Sequence, residues 1–229
     1  PFKALVEMDF WQTNVVSEDS RIFWKGLLNF DGDWRVLPLN MPVSMDANVA
    51  ETFWKTMGNL YRQQRRWAYG SADIAYFIYG FSKNKKIPAR TKWYWSFHLI
   101  ESFWAWGTNS LMIFAMGWLP ILLGGAVFNT TIISYYTPRM AGYIMGGAML
   151  GIITLIYISL VLLPPKPPIY GKHKYALMVL QWIFIPLTLI FSGSIPAIDA
   201  QTRLMLGKYM GFWPTPKIRK GIQTKIFDK

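Results

Sequence analysis

The sequence predicts a mixed α/β domain over residues 1–92, an all-α transmembrane region over residues 93–200 and a basic tail over residues 201–229. Three observations support this class: long runs without a charged residue, an apolar composition, and short helix, strand and turn signals before residue 92. Hydrophobic residues make up 52% of the chain and charged residues only 16%, which is more apolar than an average soluble domain.

Three apolar runs are long enough to cross a bilayer. No charged residue occurs between Glu101 and Arg139, between Arg139 and Lys166, or between Lys174 and Asp199. A membrane-spanning helix needs roughly 20 apolar residues. The predicted spans are about 99–123, 141–163 and 175–198.

The charge distribution indicates a lipid bilayer as a partner rather than nucleic acid. The net charge is +12, and the excess cations lie between and after the apolar runs, where they suit anionic headgroups. The chain has no cysteine, which excludes disulfides, thiolate metal sites and cysteine nucleophiles within it. Its two histidines, His98 and His173, are too few and too far apart in sequence for a histidine metal site.

The sequence allows several orientations of the chain in the membrane. The basic linker 164–174 and residues 1–92 are expected in the cytoplasm by the positive-inside rule. Three crossings then put the basic tail outside, against the same rule. A re-entrant pair broken near Pro120, a break at Pro186 or Pro196, or a tail lying on the membrane surface would each remove the conflict.

The first helix signal begins at Ser17. Serine is favoured just before a helix, and Glu18 and Asp19 fall in the first turn, where the helix dipole stabilises anions. That is the common reading of the two acids; the alternative is that one of them is a general base near a cleft. The apolar residues that follow have helical spacing: Ile22, Phe23, Leu27 and Leu28.

A turn and a short strand are predicted next. Asp31-Gly32-Asp33 is typical of a turn, and the stretch from Trp34 to Leu37 is typical of a strand. Two aspartates so spaced can also hold a magnesium ion. We interpret them as a turn, because Asp-Gly before a strand is ordinary turn chemistry.

A second helix is predicted from about residue 50 to residue 69. Gln63, Arg66 and Trp67 share one face of it, because they are three and four positions apart. This face is either a solvated basic surface or a binding surface. Arginine pairs bidentately with a diphosphate, and tryptophan offers a flat apolar surface to a sugar ring. Arg62 and Arg65 are expected on the solvated or membrane-facing side.

The order of these motifs resembles the membrane-bound family 2 glycosyltransferases, which include the cellulose, hyaluronan and chitin synthases. The matching motifs are "SED" (residues 17–19) and "QQRRW" (residues 63–67), followed by apolar spans. "GFWPTPK" (residues 211–217) is similar to the tail after the last span in many members. The resemblance implies that residues 1–92 are the C-terminal part of a GT-A domain, without its nucleotide-binding half.

The resemblance also implies an activity, an inverting transfer of sugar from a nucleotide-sugar donor to a polysaccharide or lipid-linked acceptor. Asp19 matches the catalytic base and Glu18 its neighbour, while Gln63, Arg66 and Trp67 match residues that bind the acceptor and the diphosphate. A divalent metal, Mg²⁺ or Mn²⁺, is implied in the full-length enzyme, with its ligands outside this chain. The fragment alone is therefore expected to be inactive.

The implied location is a bacterial inner or plasma membrane. Two other classes remain open: a non-catalytic membrane scaffold, and a transporter subunit. A transporter should carry ionisable residues inside its spans, and Glu101 and Arg139 approach that only near predicted span ends.

Overall fold

The computed structural model describes residues 2–39, 41, 43, 48–162, 171, 173–212 and 214. Their α-helices are α1 (Phe2–Glu7), α2 (Glu18–Asn29), α3 (Phe53–Ala68), α4 (Ala72–Lys83), α5 (Ala89–Leu123), α6 (Gly125–Asn129), α7 (Ile132–Leu162), α8 (His173–Leu180), α9 (Ile185–Thr188) and α10 (Ile195–Met205). The described residues of Pro1–Trp106 and Ile195–Lys229 form one compact unit, and those of Gly107–Ser194 form another.

The predicted α/β class is wrong. The residues that the structure describes contain no strand and no sheet, so the first unit is not part of an α/β GT-A domain. The stretch from Trp34 to Leu37 is irregular, and Val36 and Leu37 are exposed. A strand needs a neighbour to pair its backbone groups, and no described segment provides one. The composition of residues 34–37 favours a strand, but it carries no information on whether a second strand is present to pair with it.

One core of the first unit lies between α2, α4 and the start of α5. The rings of Trp24 and Phe77 are 4.7 Å apart between centroids, and Trp24 also meets Trp95 edge to face at 5.5 Å. Fully burying such a side chain contributes about 1.5–3 kcal/mol. Three residues of the predicted apolar face of α2 belong to this core: Leu27 is buried in it, and Phe23 and Leu28 pack against it. Trp24 was not assigned to that face. The buried residues of this core are Trp24, Leu27, Phe77, Phe81 and Ile87.

A second core joins α3 to α10. It is built largely from small residues, so the two helices approach each other closely. The predicted helix of residues 50–69 is observed as Phe53–Ala68, and the Thr52 side chain caps it by accepting a hydrogen bond from the Lys55 backbone N–H at 3.3 Å. The buried residues of this core are Val16, Ala68, Tyr69, Ala197 and Ala200.

Gly26 is required by the packing of Trp34 against α2. The Trp34 ring stacks on Phe30 at 5.2 Å, and a Cβ on Gly26 would lie 2.6 Å from the Trp34 ring. We expect Gly26→Ala to lower the free energy of unfolding by about 1–3 kcal/mol, because the half-buried indole of Trp34 must move. Thermal unfolding in detergent measures this change.

The matched control for this prediction is Gly58→Ala. A Cβ on Gly58, in the interior of α3, would meet nothing within 4 Å. Alanine there should stabilise the helix by about 0.5–1 kcal/mol. Equal unfolding temperatures for the two variants would contradict the packing argument.

Within the described residues, three helices are long and apolar enough to cross a membrane. They are Ala89–Leu123 (35 residues), Ile132–Leu162 (31 residues) and Ala176–Met205 (30 residues). These helices are consistent with an integral membrane protein. At about 1.5 Å per residue, each helix is longer than the roughly 30 Å hydrocarbon core of a bilayer.

The prolines affect these helices differently. Pro120 lies inside α5, and that helix ends soon after it at Leu123. In the third span a 3₁₀ turn (Gln181–Phe184) comes just before Pro186, and a π-helical segment (Leu189–Ser194) just before Pro196. Proline lacks an N–H donor and crowds the preceding turn, which disfavours regular α-helix there. Most of the linker 164–174 and of the tail after residue 212 lies outside the described residues.

Candidate functional site

The first turn of α2 presents the two predicted carboxylates. Ser17 precedes the helix as predicted, but its side chain makes no capping hydrogen bond and donates to Asp73 instead, at 3.4 Å. Asp19 is exposed, and its Oδ1 accepts a hydrogen bond from the Ser20 backbone N–H at 2.9 Å. The positive end of the helix dipole stabilises the charge of Glu18 and Asp19 at this position.

A cavity of about 220 Å³ brings Asp19 together with Arg66 and Trp67. The start of α2 and the end of α3 both contribute to its lining, so residues far apart in sequence meet in space. A carboxylate, a guanidinium and an indole therefore face one small volume. The complete lining is Val16, Ser17, Asp19, Ser20, Arg66, Trp67 and Phe103.

Glu18 lies beside this cavity and faces Arg66. Its Oε1 is 3.8 Å from the Nη1 of Arg66, whose side chain is only 15% exposed. Glu18 Oε2 and Arg66 Nε are buried and have no hydrogen-bond partner among the described residues. Buried polar atoms normally have a partner. Each of these two atoms can therefore still form a hydrogen bond with a polar ligand or with water.

Gln63 is not brought to the cavity. Its Oε1 accepts a hydrogen bond from Asn48 Nδ2 at 3.4 Å, which ties α3 to the segment before it. Arg66 has a further contact with Phe212, whose ring centre lies 5.4 Å from the guanidinium carbon. Such a cation–π contact favours the charged side chain. Of the predicted tail motif 211–217, the structure describes only residues 211, 212 and 214.

A buried ion pair behind the first turn of α2 was not predicted. Asp73 is 1% exposed and accepts a 2.6 Å hydrogen bond from Arg21 Nε and a 2.9 Å bond from Ser20 Oγ. Burial raises the pKa of Asp73, although Arg21 and the Ser20 hydroxyl act in the opposite direction. The network fixes the turn that carries Asp19. The sequence does contain a signal for this pair. Asp73 is the single acidic residue in the otherwise apolar stretch 69–81, and a buried acid needs a partner.

A second unpredicted network links α3 to α10 through Asp199. Its carboxylate accepts hydrogen bonds from Tyr61, Arg65 and Arg203. Arg65, expected on a solvated or membrane-facing surface, faces α10 and not open solvent, and its side chain is 24% exposed. Burial raises the pKa of Tyr61, and so does its hydrogen bond to Asp199, so the phenol remains a donor.

The turn interpretation of Asp31-Gly32-Asp33 agrees with the backbone. Asp31 and Gly32 have positive φ angles of 53° and 91°. Asp31 accepts hydrogen bonds from Asn84 at 2.8 Å and Lys86 at 3.1 Å, and these two groups lower its pKa. Within the described part of the chain, no three acidic or histidine side chains form a group that could hold a metal ion.

No protein-family model, curated protein or solved structure matches this chain.

Proposed function

We propose that this chain carries the acceptor side of an inverting glycosyltransferase site at a membrane surface. The reaction would move a sugar from a nucleotide-sugar donor to a polysaccharide or lipid-linked acceptor. The single observation that supports this proposal is the shared cavity of Asp19, Arg66 and Trp67. These three side chains supply the base, the cation and the flat apolar surface that the transfer requires.

In the proposed step, the acceptor hydroxyl attacks the anomeric carbon of the donor sugar. A new carbon–oxygen bond forms while the bond from that carbon to the diphosphate breaks. The nucleoside diphosphate leaves with the electron pair, and the hydroxyl proton passes to the Asp19 carboxylate. Asp19 suits this role because it is exposed at the cavity and pairs with no cation among the described residues.

Arg66 and Trp67 act on the two ends of the reacting pair. Arg66 would balance the charge that develops on the diphosphate, in a partly desolvated position where such an interaction is strong. Trp67, 43% exposed at the cavity, would hold the acceptor sugar against its ring. Glu18 would orient the Arg66 guanidinium, and Gln63 would act only by tying α3 to the preceding segment.

The proposed acceptor lies at the membrane because of how α3 is anchored. The helix packs against α10, which is the last part of the membrane-length helix Ala176–Met205. In this proposal a hydroxyl held there would be close to the lipid boundary, which would lower the entropic part of the barrier. A cytoplasmic location of residues 1–92, in a bacterial inner or plasma membrane, belongs to this proposal and rests on the basic linker 164–174.

The divalent metal that the motifs imply is not assigned to these residues. The described side chains offer no group of three metal ligands, so they do not fit a metal site of their own. The proposed step is written for Asp19, Arg66 and Trp67 alone.

The proposal is tested by Trp67→Ala in the full-length protein, in membranes supplied with each nucleotide sugar and with Mg²⁺ or Mn²⁺. We expect the KM for the acceptor to rise about tenfold, which corresponds to about 1.4 kcal/mol of lost contact. Trp54→Ala is the matched control, because Trp54 is 80% exposed on the same helix and lies outside the cavity. It should leave the KM unchanged.

Two results would count against the proposal. An unchanged acceptor KM in Trp67→Ala would remove the sugar-binding role. Failure of the full-length protein to transfer any sugar, with every donor, would favour the non-catalytic scaffold.

A further inference from the structure

The carboxylate of Asp199 joins the cavity-bearing helix α3 to α10. Its Oδ2 accepts hydrogen bonds from Tyr61 Oη and from Arg65 Nη1, both at 2.9 Å. Its Oδ1 accepts one from Arg203 Nε at 2.7 Å. Both oxygens are therefore engaged, and the Asp199 side chain is only 25% exposed. Hydrogen bonds between charged groups are stronger than neutral ones, and partial burial strengthens them further.

The two contacts on α3 fix its rotation about its own axis. Tyr61 and Arg65 are four positions apart, so they project from the same face of the helix. Arg66 follows Arg65 by about 100° around the axis, and it lines the cavity. The helix cannot turn Arg66 away from Asp19 without breaking the hydrogen bonds to Asp199.

The packing around these hydrogen bonds supports the same conclusion. Ala197 and Ala200 are fully buried and share a core with Ala68, the last residue of α3. Such small side chains let α10 lie close against α3. The short distances from Asp199 to two residues of α3 depend on this close approach.

Asp199 also makes the neighbouring Arg65 and Arg66 different, because it forms an ion pair with Arg65 and not with Arg66. Arg65 donates to Asp199 at 2.9 Å, whereas the Nη1 of Arg66 is 3.8 Å from Glu18. The Nε atoms of both arginines are buried without a hydrogen-bond partner among the described residues, so the difference lies in the ion pairs. An anionic ligand at this end of α3 would therefore pair with Arg66 rather than with Arg65. The two adjacent arginines differ through their partners, not through their chemistry.

We propose that Asp199 is a positioning residue for the transfer reaction, holding α3 so that Arg66 and Trp67 face Asp19. This inference rests on the proposed function for its activity measurement. Its structural part, the orientation of α3, is measured separately.

The test is Asp199→Asn in the full-length protein in membranes. Asparagine keeps the shape of the side chain and removes its charge. We expect kcat to fall about 10- to 100-fold, the loss that a misplacement of about 1 Å can cause. The acceptor KM should change less, because Trp67 remains present. Glu51→Gln, which removes an exposed ion pair to Lys55 at the start of α3, is the control and should not change kcat.

A second measurement reports the position of α3 directly, as a distance between spin labels on α3 and α4. Spin labels are placed on Gly58→Cys in α3 and Ser82→Cys in α4; this chain has no cysteine of its own, and both positions are exposed. The distance distribution between the labels should broaden or shift in Asp199→Asn and stay the same in Glu51→Gln. This readout needs no enzymatic activity.

A double variant separates positioning from stability. In Asp199→Asn both Arg65 and Arg203 lose their counter-charge. Adding Arg65→Gln removes one of these two cations, so the unfolding temperature should recover in part while kcat stays low. Recovery of kcat together with stability would mean that Asp199 is only structural, and would overturn the inference. An unchanged label distance in Asp199→Asn would also overturn it. If the unmodified protein transfers no sugar but the labels respond, the proposed function fails and the orientation of α3 by Asp199 stands.

Discussion

Asp19→Asn is expected to lower the rate of sugar transfer by about 10²- to 10⁴-fold, the usual contribution of a general base. Asparagine keeps the size of the side chain but does not accept the hydroxyl proton. Asp19 is exposed and has no described ion pair, so its loss should not unfold the protein. The measurement is kcat for the full-length protein in membranes, with donor and acceptor at saturation.

The matched control is Asp33→Asn. Asp33 is also an exposed aspartate in the first unit, but it belongs to the turn after α2 and lies outside the cavity. Its substitution should leave kcat within about twofold of the unmodified protein, because surface changes away from a site usually have small effects. A drop of the same size in both variants would show that lost charge, not a lost base, explains the result. Unchanged transfer in Asp19→Asn would falsify the role of Asp19.

The second large effect is on stability. Asp73→Ala is expected to lower the free energy of unfolding by about 3–5 kcal/mol, because it leaves Arg21 buried without its partner. The serine hydroxyls of Ser17 and Ser20 lose an acceptor at the same time. Thermal or denaturant unfolding in detergent or in nanodiscs measures the loss.

Replacing the whole pair tests the reason for this loss. In the double variant Arg21→Met with Asp73→Leu, no charge is left buried, so most of the stability should return. Glu51→Ala, which breaks an exposed ion pair, should cause no measurable loss. If the double variant is as unstable as Asp73→Ala, the cost comes from lost packing rather than from an unpaired charge.

The membrane helices could be predicted from the sequence because their signal is local. A run of about 20 uncharged residues has few other stable environments than a bilayer. The spacing of Gln63 to Arg66 and Trp67 likewise predicted one shared helix face, since residues three and four positions apart are neighbours on a helix. The helix beginning after Ser17 was predicted for the same reason.

The prediction of a strand at Trp34–Leu37 was wrong because a β-strand depends on a partner strand elsewhere in the chain. Its composition suits a strand, but its backbone pairs with nothing in the described residues, and the Trp34 ring packs on Gly26 and Phe30 instead. Gln63 shows the same limit for the site. Its helical spacing matches Arg66, yet its side chain accepts a hydrogen bond from Asn48 and does not line the cavity.

By itself the sequence determined where the apolar spans lie, which residues share a helix face, and which residue types are available for chemistry. Those properties depend on neighbours within a few turns. The tertiary structure alone decided that Asp19 and Arg66 line one cavity, that Arg21 is buried with Asp73, and that Asp199 bonds to α3. Each of these contacts joins elements distant in the chain. Burial gives such contacts their strength, and burial is a property of the folded molecule.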